Sequence, residues 1–378
     1  MKILYLSDHC PYKTTFIRQD VEKISDLHNT LYIAFETDSD YTNKKIKTLL
    51  IKYPSYSIKS KIRWRFENII NYFNWSDKKF SLTLRQEINK FNPDIIHCQF
   101  AYESAKLFHN FKTDIPIVIN FRGYGASYKL KNKGYTIWLK QILKQKNIFP
   151  IFVSQSLSNN LSKKKIVPLN KGIILHTGID TEKFVRNNYK KNNITSFIQV
   201  SNFNSKKGQK ITIKAFKKAT TNNPKFNARL IFVGNGKYFN DCKKIVETLK
   251  LNSKVLFLGN LNQSEIINQM ENATVFVHHS ITAPNGDQEG IPNSIIEAMA
   301  MELPILSTFH SGIPEAVEHN VNGLLCEEND VETYSKQMFE ISKWGLLKIN
   351  RNKVLNKFNI NSHIKKLSNY YQEILNEN

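Results

Sequence analysis

Two carboxylates, Glu289 and Glu297, lie eight residues apart in the segment GDQEGIPNSIIEAMA. Carboxylate oxygens accept hydrogen bonds from sugar and ribose hydroxyls. Pro292 suits the first residue of a helix, because that position makes no use of an amide hydrogen. The segment therefore predicts Glu289 on a loop and Glu297 more than one turn inside a helix.

The start of this predicted helix lies between the two carboxylates, at Gly290, Ile291, Pro292, Asn293 and Ser294. Free backbone N–H groups at a helix N-terminus bind phosphate groups. One short segment can therefore hold the diphosphate, the ribose and the sugar of a sugar nucleotide. The alternative interpretation is a surface helix that carries two solvated glutamates.

An anion bound near these glutamates needs a positive charge from elsewhere in the chain, because residues 255–335 contain twelve Asp and Glu but no Lys or Arg. The segment SNFNSKKG, residues 201–208, supplies Lys206 and Lys207 directly after a predicted strand. Ligands of doubly wound sheets bind at the carboxyl ends of the strands. The alternative for two adjacent lysines is a solvated turn.

Three further positions follow or end predicted strands. Gly234 and Gly236 occur in the sequence GNG. Glycine lets the backbone approach a ligand closely, but it also suits an ordinary turn, so both interpretations stay open. His97 ends another predicted strand, which is a typical position for a binding residue, and the alternative there is a core or capping histidine.

Twelve short apolar runs alternate with amphipathic stretches along the chain. Runs rich in Ile, Val and Phe are typical of strands buried on both faces of a parallel sheet. The predicted strands are Ile3–Leu6, Leu31–Phe35, Ile95–His97, Ile117–Phe121, Ile151–Val153, Ile173–His176, Phe197–Val200, Leu230–Val233, Val255–Leu258, Val275–Val277, Pro304–Ser307 and Leu324–Cys326. The repeated order of strand and helix predicts an α/β fold of doubly wound parallel sheets.

The strand pattern restarts once, after the polar segment Thr181–Asn193, which is typical of a linker. We therefore predict an N-terminal Rossmann-like domain over residues 1–185 and a C-terminal one over residues 194–358. Two such domains leave a cleft in which the carboxyl ends of both sheets meet. Residues 359–378 have apolar side chains at helical spacing, and we expect this helix to pack back toward the N-terminal domain.

The formal net charge of the 378-residue chain is +22. Residues 1–190 hold 32 Lys and Arg against 15 Asp and Glu, a net of +17, whereas residues 191–378 hold 22 and 17, a net of +5. Nucleic acid, an anionic membrane face or an acidic substrate would explain this asymmetry, with Lys59–Arg65 and Lys129–Lys146 as candidate contact faces. AT-rich coding bias is the alternative explanation.

Single features exclude other classes of protein. The first glycine is Gly123, which rules out a Rossmann G-x-G-x-x-G near the N-terminus. The four cysteines form no C-x-x-C, so neither a zinc ribbon nor a dense disulfide framework is expected. No apolar run approaches the roughly 18 residues that span a bilayer, and the first residues lack the apolar core of a signal peptide. We expect a cytoplasmic protein.

The chain resembles the retaining glycosyltransferases of the two-domain GT-B fold, specifically family 4 and its members that build bacterial exopolysaccharide of the colanic-acid type. The resemblance covers nearly all of the chain, and its most specific part is GDQEGIPNSIIEAMAMELPILSTFHSGIPEAVEHNVNGLL. The other motifs that carry it, in the order of the family, are PYKTTFIRQDVE, PDIIHCQF, INFRGYGAS, LHTGIDTEKF, SNFNSKKG and VGNG.

This resemblance implies roles for the donor-binding residues. Glu289 matches the glutamate that faces the donor sugar, and Glu297 matches the one that binds the ribose of the nucleotide. Lys207 matches the lysine that binds the diphosphate. Asn202 stands where the family usually has an arginine that shares the diphosphate, and Lys206 is expected to compensate for that missing cation.

The resemblance also implies contacts to the transferred sugar and the acceptor. The first loop of the N-terminal domain, Lys13–Phe16, faces them in the family, so Thr15 and Phe16 are candidate acceptor contacts together with His97. That loop lacks the glycine of the family pattern. Arg122 stands where the family has a histidine, a change associated with the exopolysaccharide subgroup, and we predict it as a catalytic residue beside Glu289.

The implied reaction is the retaining transfer of a hexose from a nucleoside diphosphate sugar, expected to be UDP-linked, to a polyprenyl-diphosphate-linked glycan of exopolysaccharide, capsule or O-antigen synthesis. We expect no cofactor, no metal ion and no nucleic acid. The basic N-terminal domain is expected to contact the anionic inner face of the cytoplasmic membrane. The alternatives are a GT-B sugar-nucleotide epimerase, a basic nucleic-acid-binding protein and a soluble synthase of storage glucan.

Overall fold

The computed structural model describes residues 1–8, 15–35, 46–51, 78–108, 113–168, 171–187 and 193–377. The chain divides into two units, each with its own parallel sheet. The first unit contains Met1–Gly178 together with Asn361–Asn378, and the second unit contains Ile179–Ile360.

The described part of the first unit contains a seven-stranded parallel sheet. Its strands are β1 Lys2–Ser7, β2 Asn29–Ala34, β3 Thr48–Leu50, β4 Ile95–Cys98, β5 Ile117–Phe121, β6 Ile148–Phe152 and β7 Ile173–Ile174. They are ordered β3-β2-β1-β4-β5-β6-β7. Every side chain of the central strands β4 and β5 is buried, which explains why these strands are mostly apolar rather than alternating, with His97 and Asn120 as their buried polar residues.

The helices in the described residues of the first unit before residue 179 lie between these strands along the chain. They are α1 Thr15–Ser25, α2 Lys78–Phe91, α3 Ala101–Phe108, α4 Gly123–Ala126, α5 Lys133–Leu143 and α6 Gln155–Lys163. Side-chain caps fix two of the starts: Asn132 accepts from the Tyr135 amide at 2.9 Å, and Ser154 accepts from the Leu157 amide at 3.3 Å.

The described part of the second unit contains a six-stranded parallel sheet. Its strands are β8 Thr195–Val200, β9 Ala228–Val233, β10 Val255–Phe257, β11 Val275–Val277, β12 Ile305–Thr308 and β13 Gly323–Cys326. They are ordered β10-β9-β8-β11-β12-β13. The order diverges between β8 and β11, and ligands of such sheets bind at the carboxyl ends of the strands beside that point.

Seven helices occur in the described residues of the second unit. They are α7 Gln209–Asn222, α8 Phe239–Thr248, α9 Gln263–Glu271, α10 Asn293–Ala300, α11 Ile313–Ala316, α12 Val331–Ile341 and α13 Lys348–Lys357. Ile295, Ile296 and Met299 of α10 are buried and pack this helix into the core, as their spacing predicts.

The last helix, α14 Ile360–Glu377, belongs to the first unit from Asn361 onward. The Tyr371 hydroxyl lies 3.1 Å from the Tyr5 hydroxyl and 2.5 Å from His97 Nδ1, and all three residues are buried. Closer to the start of the helix, His363 Nδ1 donates to the carbonyl of His176 at 2.8 Å. Residues from the two ends of the chain therefore complete one core.

The α/β fold of two doubly wound parallel sheets is confirmed, and each of the twelve predicted strands is present. The unpredicted strand Thr48–Leu50 is only three residues long and lies at the edge of its sheet, with Leu50 39% exposed. Leu49, Leu50 and Ile51 form an apolar run of only three residues, shorter than most of the runs by which the other strands were recognised.

Two predicted boundaries differ from the structure. Pro292 has extended backbone angles and is the N-cap of α10, so the helix begins at Asn293. Residues 179–185 lie in the second unit, where Phe184 is buried and Arg351 donates to the carbonyls of Thr181 and Phe184.

Across the described residues, no helix combines the length and the apolar character that a membrane span requires.

Candidate functional site

The two lysines of SNFNSKKG lie just beyond the carboxyl end of β8. Ser205–Lys207 form one turn of 3-10 helix, and Gly208 ends it with a positive φ of 62°. A Cβ on Gly208 would lie 1.8 Å from the carbonyl oxygen of His279. Only glycine fits so close to the loop that follows β11, so Gly208 fixes the position of the adjacent Lys207.

Glu289 meets both lysines. Its Oε1 lies 2.9 Å from Lys207 Nζ and 3.5 Å from Lys206 Nζ, and its side chain is 12% exposed. Burial by itself opposes ionisation, but the two ammonium groups outweigh it and lower the pKa of Glu289 to about 2. The structure thus brings together the predicted carboxylate and its predicted cations, as a charged cluster at the carboxyl ends of β8 and β11.

Asp287 is a member of this cluster that the sequence analysis did not identify. Its Oδ2 lies 2.9 Å from Lys206 Nζ. Burial lowers the pKa of Lys206, but Glu289 and Asp287 reverse this, and the pKa is raised. The signal for Asp287 was its place in GDQEG, two residues before Glu289, although acidic loop residues are too common for that spacing to single it out.

The residues that begin α10 follow Glu289 directly. Gly290 and Pro292 are buried, whereas Ile291, Asn293 and Ser294 are partly exposed. Because α10 starts at Asn293, its first amides have no partner inside the helix. These groups lie next in the chain to a carboxylate that contacts two lysines, so the segment has the features of a phosphate- and sugar-binding turn.

Glu297 lies in the second turn of α10 and is partly buried. Burial raises the pKa of this carboxyl from 4.5 to about 7. Glu297 and Glu289 therefore differ: Glu289 is held ionised by lysines, whereas Glu297 is divided between its protonated and ionised forms near pH 7. The protonated form can both donate to and accept from a ribose hydroxyl, and the ionised form accepts.

The turn that carries Gly234 and Gly236 packs against the loop before the two lysines. A Cβ on Gly234 would lie 2.2 Å from the Ser201 carbonyl, and one on Gly236 would lie 2.6 Å from the Phe203 carbonyl. Asn202 lies between these two loop residues and is exposed. The glycines thus permit a close approach of backbone to backbone, and their contact with a ligand stays a prediction.

The segment His310–Gly312 after β12 contacts the backbone of Glu289, which the sequence analysis also missed. The Glu289 amide donates to His310 Nε2 at 3.1 Å, and the Ser311 hydroxyl donates to the Glu289 carbonyl at 2.7 Å. The Gly312 amide donates to the Gly290 carbonyl at 3.1 Å. The only sequence signal was the HSG triplet inside the most specific motif of the resemblance.

In the first unit, Arg122 follows β5 and contacts the predicted site residue Phe16 as well as residues that the sequence analysis did not identify. Its guanidinium lies 4.4 Å from the centre of the Phe16 ring, and its Nη2 lies 3.9 Å from Asp20 Oδ2. Weaker contacts reach Thr177 Oγ1 at 3.4 Å and Gln99 Oε1 at 3.5 Å. Burial lowers the pKa of Arg122, and the Asp20 carboxylate opposes that effect.

His97 is buried, with 1% of its surface exposed, and its Nδ1 faces the Tyr371 hydroxyl. Burial lowers the pKa of His97 to about 3. These features suit the alternative of a core histidine, and acceptor binding by His97 stays a prediction. Thr15 is the first residue of α1. Residues 9–14 and the predicted contact face 59–65 lie outside the described residues.

The part of the chain that the structure describes contains no group of three or more His, Cys, Asp or Glu side chains that could hold a metal ion. His278 and His279 follow β11 and are buried, and burial lowers their pKa values to about 3 and about 4. The Asn329 amide donates to His279 Nε2 at 3.1 Å, a structural role.

Two units that each contain a doubly wound parallel sheet have the architecture of the GT-B fold, as the sequence predicted. Residues 179–354 match the sequence profile of the glycosyl transferases group 1, and residues 51–183 match that of Glycosyltransferase Family 4. Together the two profiles account for most of the chain. The chain therefore contains a Glycosyltransferase Family 4 domain followed by a glycosyl transferases group 1 domain.

Individual relatives agree with this assignment. WcaL of Salmonella typhimurium, which is assigned to colanic acid biosynthesis, is 31% identical over 177 residues, covering 47% of this chain and 43% of WcaL. The UDP-Gal:alpha-D-GlcNAc-diphosphoundecaprenol alpha-1,3-galactosyltransferase of Escherichia coli is 27% identical over 217 residues, covering 53% of this chain and 54% of that enzyme. The chain thus spans about half the length of these curated relatives.

The fold also matches solved structures over its whole length. A glycosyltransferase from Rickettsia africae superposes with a TM-score of 0.76 at 19% identity, covering 99% of this chain and 98% of the other. At that identity the match concerns the fold alone.

Proposed function

We propose that this protein is a retaining hexosyltransferase that uses a nucleoside diphosphate sugar, UDP-linked, and extends a lipid-linked glycan in exopolysaccharide, capsule or O-antigen synthesis. The observation that carries the proposal is the contact between Glu289 and Lys207 at the start of α10. A sugar held by this carboxylate and a diphosphate held by this lysine lie side by side, as they do in a sugar nucleotide.

The chemistry requires stabilisation of a leaving diphosphate and of an oxocarbenium-like sugar. Lys207, Lys206 and the first amides of α10 supply positive charge for the diphosphate. Glu289, ionised at physiological pH, accepts hydrogen bonds from sugar hydroxyls. We propose that these groups suffice without a metal ion or a cofactor, and that Glu297 binds the ribose.

The names of two relatives support the proposed UDP-linked donor and the proposed lipid-linked acceptor. The Escherichia coli enzyme takes galactose from a UDP sugar to a diphosphoundecaprenol-linked sugar, and WcaL is assigned to an exopolysaccharide. We propose Arg122, with Phe16 stacked on its guanidinium, and Thr15 as the acceptor side of the reaction. An acceptor diphosphate is a suitable ligand for a guanidinium.

A panel of UDP, GDP and ADP sugars in a thermal-shift assay tests the donor. A ligand at 100 times its dissociation constant adds about 2.7 kcal/mol to the stability, so binding is easily detected. Transfer is then measured with a polyprenyl-diphosphate-linked acceptor. Conversion of the donor into an epimer in the absence of any acceptor would instead identify an epimerase and overturn the proposal.

Glu289→Gln and Lys207→Ala are each expected to reduce transfer at least about tenfold, the effect of one charged contact. Lys210→Ala is the matched control. Lys210 is three residues away and also forms an ion pair, 2.8 Å from Asp241, but that pair is exposed. Full activity in both site variants, with the control unchanged, would refute the site assignment.

The basic first half is proposed to bind the anionic inner face of the cytoplasmic membrane. Within Lys129–Lys146, helix α5 exposes Ile137 by 50%, with Lys140 one turn further along. Flotation with anionic vesicles is expected to carry the protein, whereas neutral vesicles or Lys140→Glu should reduce it. Equal flotation with both lipids, or a preference for duplex DNA over anionic vesicles, would contradict this part of the proposal.

A further inference from the structure

The orientation of Glu289 depends on more than its lysines. Glu289 lies in the loop that runs from β11 to α10, four residues before the helix begins, and no helix or strand lies within that loop. The segment His310–Gly312 holds the backbone of this loop from one side through the three hydrogen bonds described above. The imidazole of His310 takes the first of them, from the Glu289 amide.

That bond determines which nitrogen of His310 carries the proton. Because Nε2 accepts the Glu289 N–H, Nε2 has no hydrogen, and in a neutral imidazole the hydrogen is then on Nδ1. His310 Nδ1 lies 2.6 Å from Glu328 Oε1, so Nδ1–H donates to this carboxylate. The His310 side chain is completely buried, and the Glu328 side chain is 28% exposed.

Glu328 is itself held in place. The Thr282 amide donates to Glu328 Oε2 at 2.7 Å, and the Thr282 hydroxyl donates to Oε1 at 3.2 Å. Burial opposes the charge of Glu328, but the hydrogen bonds from His310 and Thr282 outweigh it and lower the pKa of this carboxyl. Three loops, those that follow β11, β12 and β13, therefore meet at one carboxylate.

We propose that His310 and Glu328 are positioning residues of the transfer reaction. Glu328 holds His310 in the Nδ1–H tautomer, and His310 Nε2 then fixes the peptide of Glu289, so that the carboxylate faces the donor sugar. This inference rests on the proposed function of Glu289. Neither His310 nor Glu328 touches the donor, and their effect passes through the Glu289 backbone.

Nitrogen NMR of the full chain labelled with [15N]histidine tests the tautomer without any measurement of activity. We expect the His310 signals, assigned by their loss in His310→Gln, to have the shifts of an Nδ1–H imidazole. In Glu328→Ala, where Nδ1 loses its acceptor, we expect them to move toward the average of the two tautomers. An Nε2–H tautomer in the wild type, or no change in Glu328→Ala, would overturn the proposal.

Kinetics test the consequence for catalysis. His310→Ala is expected to lower kcat about tenfold, the effect of one lost hydrogen bond to a positioned group, with a much smaller change in the donor KM. His310→Gln places an amide oxygen near the position of Nε2 and is expected to recover most of kcat. A loss of donor binding instead of kcat, or no recovery in a folded His310→Gln, would overturn the positioning role.

His319→Ala is the matched control. His319 Nδ1 accepts the Leu325 amide at 2.9 Å, so it forms the same kind of bond in the same unit without contacting Glu289. We expect this variant to keep kcat, and equal losses in both alanine variants would show a merely structural role. If the wild type transfers no sugar from any donor, the proposed function fails, while the NMR result still decides the His310–Glu328 contact.

Discussion

Replacement of Glu297 by glutamine is expected to stabilise the protein at neutral pH while it weakens donor binding. The carboxyl of Glu297 lies on α10, where burial raises its pKa from 4.5 to about 7. Glutamine has the same shape and cannot ionise. The variant therefore removes the cost of a buried charge and at the same time removes the acidic group proposed to bind the ribose.

The magnitude follows from linkage. Between pH 4.5 and about 7 the folded carboxyl keeps its proton while the unfolded chain releases it, so the stability of the wild type falls as the pH rises. A rise in pKa of this size corresponds to about 3 kcal/mol, and the partial exposure of the side chain makes this an upper value. The advantage of Glu297→Gln should therefore be small near pH 5 and largest above pH 7.

Urea unfolding followed by circular dichroism at several pH values between 5 and 8 measures this difference. Glu340→Gln is the control, because it makes the same chemical change at an exposed residue of α12. Thermal shifts with the donor sugar, measured in parallel, should be smaller for Glu297→Gln than for the wild type.

A stability difference that is equal at pH 5 and pH 8 would refute the reasoning, since it would mean that Glu297 ionises with the same pKa in the folded and unfolded chain. A variant whose stability relative to the wild type falls as the pH rises would also refute the reasoning, because an ionised Glu297 would then stabilise the fold.

Three further substitutions test other features of the two units. Gly208→Ala should destabilise the protein by about 1–3 kcal/mol in urea unfolding and abolish the donor thermal shift, because its Cβ would lie 1.8 Å from the His279 carbonyl. Arg122→Ala should cost about 3 kcal/mol, since it leaves the buried Asp20 without its guanidinium, and the additional change Asp20→Asn should recover most of this loss. Tyr371→Phe should cost about 1–2 kcal/mol in the same assay, because the tyrosine hydroxyl is buried between two polar partners. A larger loss in the double variant than in Arg122→Ala, or unchanged stability in the other two, would contradict these assignments.

The fold could be predicted because buried parallel strands are continuous apolar runs and so stand out in the sequence. The strand Val275–Val277 illustrates this: it is only three residues long, but all of them are apolar and buried. Thr48–Leu50 has the same length and contains Leu49 and Leu50, but it starts with a polar residue, lies at a sheet edge and is partly exposed, so it was not recognised as a strand.

The charged cluster of Lys206, Lys207 and Glu289 was predictable from positions next to a strand or a helix, whereas contacts between separate loops were not. Lys207 and Glu289 were identified from their positions after a strand and before a helix. Asp287, His310 and Glu328 were not identified, because their contacts join loops that follow different strands. Asp287, for example, contacts Lys206, which is 81 positions earlier in the chain. A single sequence does not show which loop residues contact one another, because polar and charged residues occur in most loops whether or not they have a partner in another loop.

The place of Tyr371 in the first unit has a consequence for synthesis of the chain on the ribosome. The second unit is one continuous segment, complete once residue 360 has been made. The first unit begins earlier but lacks the hydroxyl that meets Tyr5 and His97 until the last helix emerges. Domains generally fold in the order of translation, whereas here the half that is made first is finished last, and residues 1–178 expressed alone would lack part of their own core.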